Sequence, residues 1–261
     1  MSDSAESNIA STANDDSDFH YYGLEMVEKQ KNAKAIIYKT PDRVIPVVFL
    51  PGVMGSNLLG ADNKPLWRLD STGGTVWDWS MKGAEDRKNL LHHSRTSVDE
   101  GGDVDEEGKA EKSLFLSRKE RKWGETGYMS YGEFLPWLQN ALNDHNEMHA
   151  NRQAKNGKLT QREKLMDHNL NAEIGEANLT PDEIALSYKY LFPVHGAGYN
   201  WLASNADSAN TLNNRITEII NNYNSRGMRC EKVILVTHSM GGFVARHYSE
   251  NLNCSNKILG I

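Results

Sequence analysis

The sequence predicts an α/β protein built on a doubly wound, mostly parallel sheet. Two uninterrupted apolar runs, residues 44–50 and 233–236, have the pattern of strands buried on both faces of such a sheet. Between them lies an amphipathic helix that is predicted to stop at Gly227, and a helix in that place connects parallel strands as a right-handed crossover. The apolar face of the helix comprises Leu212, Ile216, Ile219, Ile220 and Tyr223.

The segment KVILVTHSMGGFVARHY, residues 232–248, places a serine directly after the second strand. Residues 237–241 match G-x-S-x-G except that Thr237 replaces the first glycine, and the serine of that motif lies on a strained strand-to-helix turn. Helical spacing resumes after it, so Ser239 lies at a helix N-terminus, which favours an anion. We therefore predict that Ser239 attacks an acyl carbonyl and that the Met240 N–H binds the oxyanion. The alternative is an ordinary N-cap serine.

The first strand is also followed by a loop of small residues, in RVIPVVFLPGVMGSNLL at residues 43–59. Pro46 is predicted to confine the start of that strand to an edge or a bulge, because proline has no N–H to donate. A turn at Pro51 and Gly52 directs backbone N–H groups outward. The Val53 N–H is thus the predicted second donor to the oxyanion, with an ordinary turn as the alternative.

Three segments together, PVVFLPGVMGSNL, FPVHGAGYNWL and KVILVTHSMGGFVAR, resemble the α/β-hydrolases. The resemblance covers about residues 43–69 and 188–261. It is to the branch of lecithin:cholesterol acyltransferase-like and GPI inositol-deacylase-like lipases and esterases, including bacterial type VI secretion lipase effectors. It implies a serine lipase or esterase with a triad in the order Ser, Asp, His. Ser239 takes the nucleophile's position, and the N–H groups of Val53 and Met240 take the oxyanion hole; Thr237 departs from the glycine of many relatives.

The resemblance leaves Ser239 without partners in this sequence. His195 precedes Ser239, contrary to the expected chain order, so a structural or pocket-lining role is favoured over that of general base. The apolar residues Ile258, Leu259 and Ile261 resemble the opening of another parallel strand. We expect the catalytic acid and histidine to lie beyond residue 261, with the sheet truncated after the nucleophile helix. The alternative function is a catalytically silent remnant or binding protein that retains the front part of a hydrolase.

Composition and spacing predict four parts along the chain. Residues 1–18 contain five acidic residues and no basic residue, so they carry −5 of the formal net charge of −6. We predict that they form a disordered acidic tail. Residues 19–82 form the first part of the hydrolase core, residues 83–190 a helical lid insertion, and residues 191–261 the nucleophile-bearing part of the core. Within the insertion, Thr180, Pro181 and Glu183 have the spacing of a capped helix start, and that helix is predicted to end before Pro193.

Composition also limits the class of function. The 261 residues are 38% hydrophobic and 25% charged, as in globular proteins, and no apolar run approaches the ~18 residues of a membrane span. Two cysteines and the lack of a basic, apolar leader predict cytoplasmic synthesis, and the resemblance to effectors implies export by a signal-independent secretion system. The absence of a basic stripe argues against nucleic acid. The expected partner is a lipid or other ester substrate at a membrane surface; head group, acyl length and oligomeric state stay open.

Neither metal nor cofactor is predicted. His145 and His149 are four residues apart, but Glu147 lies in the third position of HNEMH, where the metalloprotease signature needs it second. The run DVDEEG at residues 103–108 resembles a calcium loop, yet Leu114 occupies the twelfth position, where a glutamate is required. No third ligand accompanies the two histidines, and the run at residues 103–108 is better explained as a solvated charge run.

Overall fold

We describe a computed structural model of the chain, which covers residues 6–13, 19–21, 34–38, 41–70, 79–145, 159–168 and 178–261. Contacts divide the chain into two units, which are described separately. The core unit comprises Val44–Glu107, Leu116–Gln139 and Phe192–Ile261. The second unit comprises Met1–Arg43, Gly108–Phe115 and Asn140–Leu191.

The described strands and helices are as follows. The strands are β1 (Glu6–Ala13), β2 (Phe19–Tyr21), β3 (Lys34–Tyr38), β4 (Arg43–Val44), β5 (Val47–Leu50), β6 (Leu58–Leu59), β7 (Pro65–Trp67), β8 (Ser97–Val98), β9 (Tyr190–Leu191), β10 (Val194–Gly196), β11 (Val233–Thr237) and β12 (Ile258–Gly260). The α-helices are α1 (Ala84–Leu90), α2 (Lys109–Lys112), α3 (Tyr128–Tyr131), α4 (Phe134–Asn143), α5 (Gln161–Lys164), α6 (Pro181–Ser187), α7 (Asn205–Ser225) and α8 (Gly241–Arg246), and a π-helical turn at His247–Asn251 extends α8.

The core unit contains the parallel sheet that the sequence predicts. Its strand order is β10-β5-β11-β12, and every neighbouring pair is parallel. Val48 of β5 pairs with His195 on one side and Leu235 on the other, and all four residues of β5 are buried. Pro46 interrupts the first apolar run between β4 and β5, while its carbonyl accepts a hydrogen bond from Ile234 N at 2.9 Å. The ends of β5 and β11 consequently lie side by side.

Helix α7 connects β10 to β11, and in the sheet order β5 lies between these two strands. The Ser204 side chain caps its N-terminus by accepting a hydrogen bond from Asp207 N. Past its C-terminus, Gly227 adopts a φ of 77°, the left-handed conformation that favours glycine. The crossover helix and its stop at Gly227 are as predicted. Its buried apolar residues are Ala209, Leu212, Ile216, Ile219 and Tyr223.

The predicted lid insertion, residues 83–190, is not one unit. Residues 83–107 and 116–139 belong to the core unit, and only residues 108–115 and 140–190 belong to the second. The side chains of Arg121 and Trp123 explain the difference, because both donate hydrogen bonds to the Val194 carbonyl of β10, at 3.1 and 2.7 Å. Buried polar groups of this kind hold the segment to the sheet.

The N-terminal part of the second unit contains a three-stranded sheet in the order β2-β1-β3. Strand β1 is parallel to β3 and antiparallel to β2. The strand at Glu6–Ala13 differs from the disorder predicted for residues 1–18. The prediction of disorder used composition alone, which shows few apolar residues in this segment. Composition does not show that the backbone of β1 can form hydrogen bonds with β3.

Elsewhere in the second unit, the Thr180 capping box is confirmed. The Thr180 hydroxyl accepts from Glu183 N and the Glu183 carboxylate accepts from Thr180 N, with Pro181 at the first helical position. Helix α6 ends at Ser187, before Pro193 as predicted. Across the described helices, none is both long and apolar enough to cross a membrane.

Candidate active site

Ser239 lies on the turn between β11 and α8, which we call the elbow (residues 237–242). Its φ is 51°, in the left-handed region, where a non-glycine residue costs about 1 kcal/mol or more. The residue is exposed, and no hydrogen bond of its hydroxyl occurs within the described ranges. The turn is held by backbone bonds: His238 N donates to Leu50 O, and Gly241 N donates to His238 O, both at 3.0 Å. Ser239 therefore lies exposed on a strained strand-to-helix turn, the geometry of the serine in the G-x-S-x-G motif.

The two glycines of the elbow have different roles. A Cβ on Gly241 would lie 2.7 Å from the carbonyl oxygens of both Leu50 and Pro51, so only glycine fits there. A Cβ on Gly242 would meet nothing closer than Thr237 Oγ1 at 3.5 Å, an ordinary contact. The space beside Gly242 also accommodates the side chain of Thr237, which stands where the motif has its first glycine.

The Pro51 loop (residues 51–57) follows β5 and lies against the elbow. A Cβ on Gly52 would lie 3.0 Å from His238 Nδ1 and 3.2 Å from Ser239 Cβ, so the backbone of the loop directly contacts the elbow. The loop turns through Met54, whose φ is 63°, and Gly55 N donates to Gly52 O at 3.0 Å. The loop therefore reaches Ser239, as its sequence predicts.

The two amides proposed for the oxyanion hole are those of Val53 and Met240. Val53 is 51% exposed, and Met240 is half-buried at the N-cap position of α8. Within the part of the chain that the structure describes, neither N–H meets an acceptor. Both N–H groups are thus free to donate to a ligand.

Sequence reasoning missed two tyrosines that hold the Pro51 loop. The hydroxyl of Tyr131, in α3, accepts a hydrogen bond from Gly52 N at 3.0 Å and lies 2.9 Å from His238 Nδ1. The hydroxyl of Tyr199 donates to Pro51 O at 2.9 Å. Both are buried, and burial raises the pKa of each hydroxyl above its ordinary value. No local pattern marked them, because their partners are far away in the sequence.

Glu125 was also missed. It is 1% exposed, and its carboxylate contacts Arg215 Nη2 at 2.5 Å and accepts from Gly198 N at 2.9 Å. Its backbone carbonyl accepts from Asn57 N at 2.9 Å, at the end of the Pro51 loop. Burial raises the Glu125 pKa to about 7, although the charge of Arg215 opposes the rise. Glu125 thus holds the end of the Pro51 loop through its backbone carbonyl.

His195 is buried and contacts helix α7. Its Nε2 is 2.9 Å from the Tyr223 hydroxyl. Burial, followed by the charges of Arg121 and Arg215, holds its pKa well below the ordinary value. The neutral ring packs between sheet and helix, which favours the structural role predicted for it.

The residues considered as metal ligands do not form a metal-binding group where the structure describes them. Asp105 accepts a hydrogen bond from the Tyr128 hydroxyl at 2.8 Å, and His145 is buried at the end of α4. His149 and Glu147 lie outside the described residues. In the described ranges, no three His, Cys, Asp or Glu side chains are grouped so that they could hold a metal ion.

Comparisons with known proteins bear on the same region. The family model of the PGAP1-like alpha/beta domain matches residues 203–258, which include α7, β11 and the elbow. Among solved structures, a chain of "The crystal structure of Tle4-Tli4 complex" matches with a TM-score of 0.69 and 28% identity. The match covers 83% of this chain and 44% of that one. No curated protein matches the sequence significantly.

The chain therefore has the α/β-hydrolase fold that its sequence predicts. Within that class, its similarity to PGAP1-like hydrolase domains and to the Tle4-Tli4 structure confirms the resemblance to lipase-type hydrolases. The chain spans less than half of the solved chain it matches, so the activity of the whole protein is a separate question.

Proposed function

We propose that this chain carries the nucleophile and the oxyanion hole of a serine ester hydrolase that acts on lipid or other carboxylic esters. The observation that carries the proposal is the positive φ of Ser239, at a strand-to-helix turn that directly contacts the Pro51 loop. A serine that serves only as an N-cap has extended backbone geometry and requires no such strain.

In the proposed reaction, Ser239 Oγ attacks the acyl carbonyl and its proton passes to a general base. The carbonyl oxygen becomes an oxyanion, which accepts hydrogen bonds from the N–H groups of Val53 and Met240. Collapse of this intermediate expels the alcohol, which takes the proton from the base, and leaves an acyl-enzyme on Ser239. Water then hydrolyses the acyl-enzyme by the same steps in reverse.

Exposed apolar side chains next to the site support a lipid substrate. Val53, Met54 and Phe243 are 51%, 43% and 64% exposed, and they lie on the loop and the helix that flank Ser239. Such side chains suit contact with an acyl chain or with the surface of a lipid aggregate.

The test compares Ser239→Ala with wild type in the full-length protein. We expect labelling by a fluorophosphonate probe to disappear and hydrolysis of nitrophenyl esters to fall by about 10⁴-fold or more, with folding unchanged. The control is Ser225→Ala, which removes an exposed hydroxyl at the end of α7 and retains both activities. Equal labelling of the Ser239→Ala variant contradicts the proposal. A folded wild type that neither labels nor turns over esters supports a binding role instead.

A further inference from the structure

The hydroxyl of Tyr131 lies between the two halves of the candidate site. It is 3.0 Å from Gly52 N in the Pro51 loop and 2.9 Å from His238 Nδ1 in the elbow. The tyrosine is 8% exposed, and its ring packs edge-on against Phe49 of β5, with the ring centroids 4.8 Å apart. The hydroxyl is therefore fixed in place by the core of the sheet.

The chemistry of the three groups sets the direction of these bonds. Gly52 N–H can only donate, so the Tyr131 oxygen accepts from it. The oxygen could accept a second bond, but among the described residues the hydroxyl's own proton has no acceptor other than His238 Nδ1, so the buried hydroxyl donates to that nitrogen. Because burial raises the Tyr131 pKa, the hydroxyl retains that proton at neutral pH. A ring nitrogen that accepts a hydrogen bond carries no proton, so the neutral His238 ring has its proton on Nε2.

We propose that Tyr131 is a positioning residue for the reaction at Ser239: its hydroxyl links the Pro51 loop to the elbow and holds His238 in the Nε2–H tautomer. The catalytic part of this inference rests on the function proposed above. The tautomer does not, because it follows from the hydrogen bonds alone.

The link acts close to both amides of the oxyanion hole. Gly52 directly precedes Val53, and His238 lies two residues before Met240. Donors stabilise an oxyanion only when both are about 2.7–3.1 Å from its position, so the spacing of the two segments matters. An interaction needed only in the transition state changes kcat and leaves KM nearly unchanged.

The first experiment measures ester hydrolysis by Tyr131→Phe in the full-length protein. We expect kcat to fall about 10- to 100-fold, a decrease no larger than that caused by removing one oxyanion donor. KM should stay within about twofold of wild type. The matched control is Tyr223→Phe, which removes another buried tyrosine hydroxyl; that hydroxyl is 2.9 Å from His195 Nε2 and, in the part of the chain that the structure describes, has no hydrogen bond to the elbow or the Pro51 loop. Its kcat should stay within about twofold of wild type. Equal losses in both variants, or no loss in Tyr131→Phe, overturn the positioning role.

A second pair of variants tests the link itself. The amide of His238→Asn can accept a hydrogen bond near the place of Nδ1, whereas His238→Ala has no acceptor. The Asn variant should retain several-fold more activity than the Ala variant, and this advantage should vanish when each is combined with Tyr131→Phe. The same advantage in both backgrounds would mean that Tyr131 does not act through His238.

The last measurement is independent of activity. Nitrogen NMR of the histidine rings should show neutral His238 protonated on Nε2, and Tyr131→Phe should alter the Nδ1 signal by removing its donor. A dominant Nδ1–H form overturns the direction of the bonds. If Ser239→Ala retains turnover, the proposed function fails and the catalytic role of Tyr131 fails with it. If Ser239→Ala is inactive and Tyr131→Phe matches wild type, only the positioning role fails.

Discussion

The Pro51 loop and the elbow follow neighbouring parallel strands and both contain a non-glycine residue with positive φ, yet they are held by different means. The elbow is held by backbone groups: hydrogen bonds within it, a hydrogen bond to Leu50 O of β5, and the fit of Gly241 against the carbonyl oxygens of Leu50 and Pro51. The Pro51 loop is also held by side chains from other segments. The Tyr199 hydroxyl binds Pro51, the Tyr131 hydroxyl binds Gly52, and the Trp67 Nε1–H donates to Met54 O at 2.9 Å. One half of the site is thus held by backbone groups and the other by side chains from other segments.

This difference has a consequence for how each half responds to substitution. A turn held by backbone groups fails when atoms are added to it, because backbone carbonyls cannot move aside. A loop held by distant side chains weakens in steps, as each hydrogen bond of about 1 kcal/mol is removed.

The largest effect is expected at Gly241. Gly241→Ala places a Cβ 2.7 Å from two backbone oxygens, so we expect the free energy of unfolding to fall by about 3 kcal/mol and Ser239 labelling to be lost. Gly242→Ala is the matched control, since its Cβ has room and alanine favours the helix; its stability should change by less than about 1 kcal/mol. Urea unfolding of both variants gives the comparison. Similar losses at the two glycines would show that the fit at Gly241 is not what holds the elbow.

The next effect concerns Glu125 and depends on pH. The folded-state pKa of about 7 exceeds the ordinary value of 4.5, so the folded state binds this proton more tightly than the unfolded state does. The Glu125 contribution to stability is therefore greatest below pH 4.5, falls as pH rises towards 7, and is constant above that. Over this window, wild type should lose up to about 3 kcal/mol relative to Glu125→Gln, which has no proton to release.

Urea unfolding of both proteins at several pH values between 4 and 8 measures this contribution. Taking the difference between the two proteins removes the contributions of the other titrating groups. Parallel pH profiles for wild type and Glu125→Gln would mean that the carboxyl is not desolvated as the structure indicates. Because Asn57 binds the Glu125 carbonyl, the Pro51 loop is expected to loosen before the elbow as pH rises.

The same contrast determines what the sequence could predict. The elbow, its helix and the Thr180 capping box were predictable, because each depends on residues within a few positions of one another. The parallel strands were predictable from their continuous apolar runs. The choice of Val53 as a donor rests on a Pro-Gly turn after a buried strand, and it stays a prediction.

The remaining parts of the site were not predictable, because long-range contacts create them. Tyr131 is 79 residues from Gly52 and Tyr199 is 148 residues from Pro51, and no periodicity connects such pairs. The predicted boundaries of the lid differ from the division by contacts for a similar reason. Arg121 and Trp123 bind the Val194 carbonyl across 73 and 71 residues, so a polar segment that resembles an insertion belongs to the core unit.

The smallest effect is expected at Tyr199, and it separates support of the loop from linkage to the elbow. Tyr199→Phe removes the hydrogen bond to Pro51 O, so the free energy of unfolding should fall by about 1 kcal/mol, much as in Tyr131→Phe. Tyr199 has no hydrogen bond to His238, whereas Tyr131 does. Its kcat should therefore fall by only about two- to threefold, against the larger loss in Tyr131→Phe. Urea unfolding and ester hydrolysis are measured on both variants. If kcat falls equally in the two variants for the same loss of stability, any hydrogen bond that holds the Pro51 loop is sufficient. The contact between Tyr131 and His238 would then have no special part in placing the oxyanion amides.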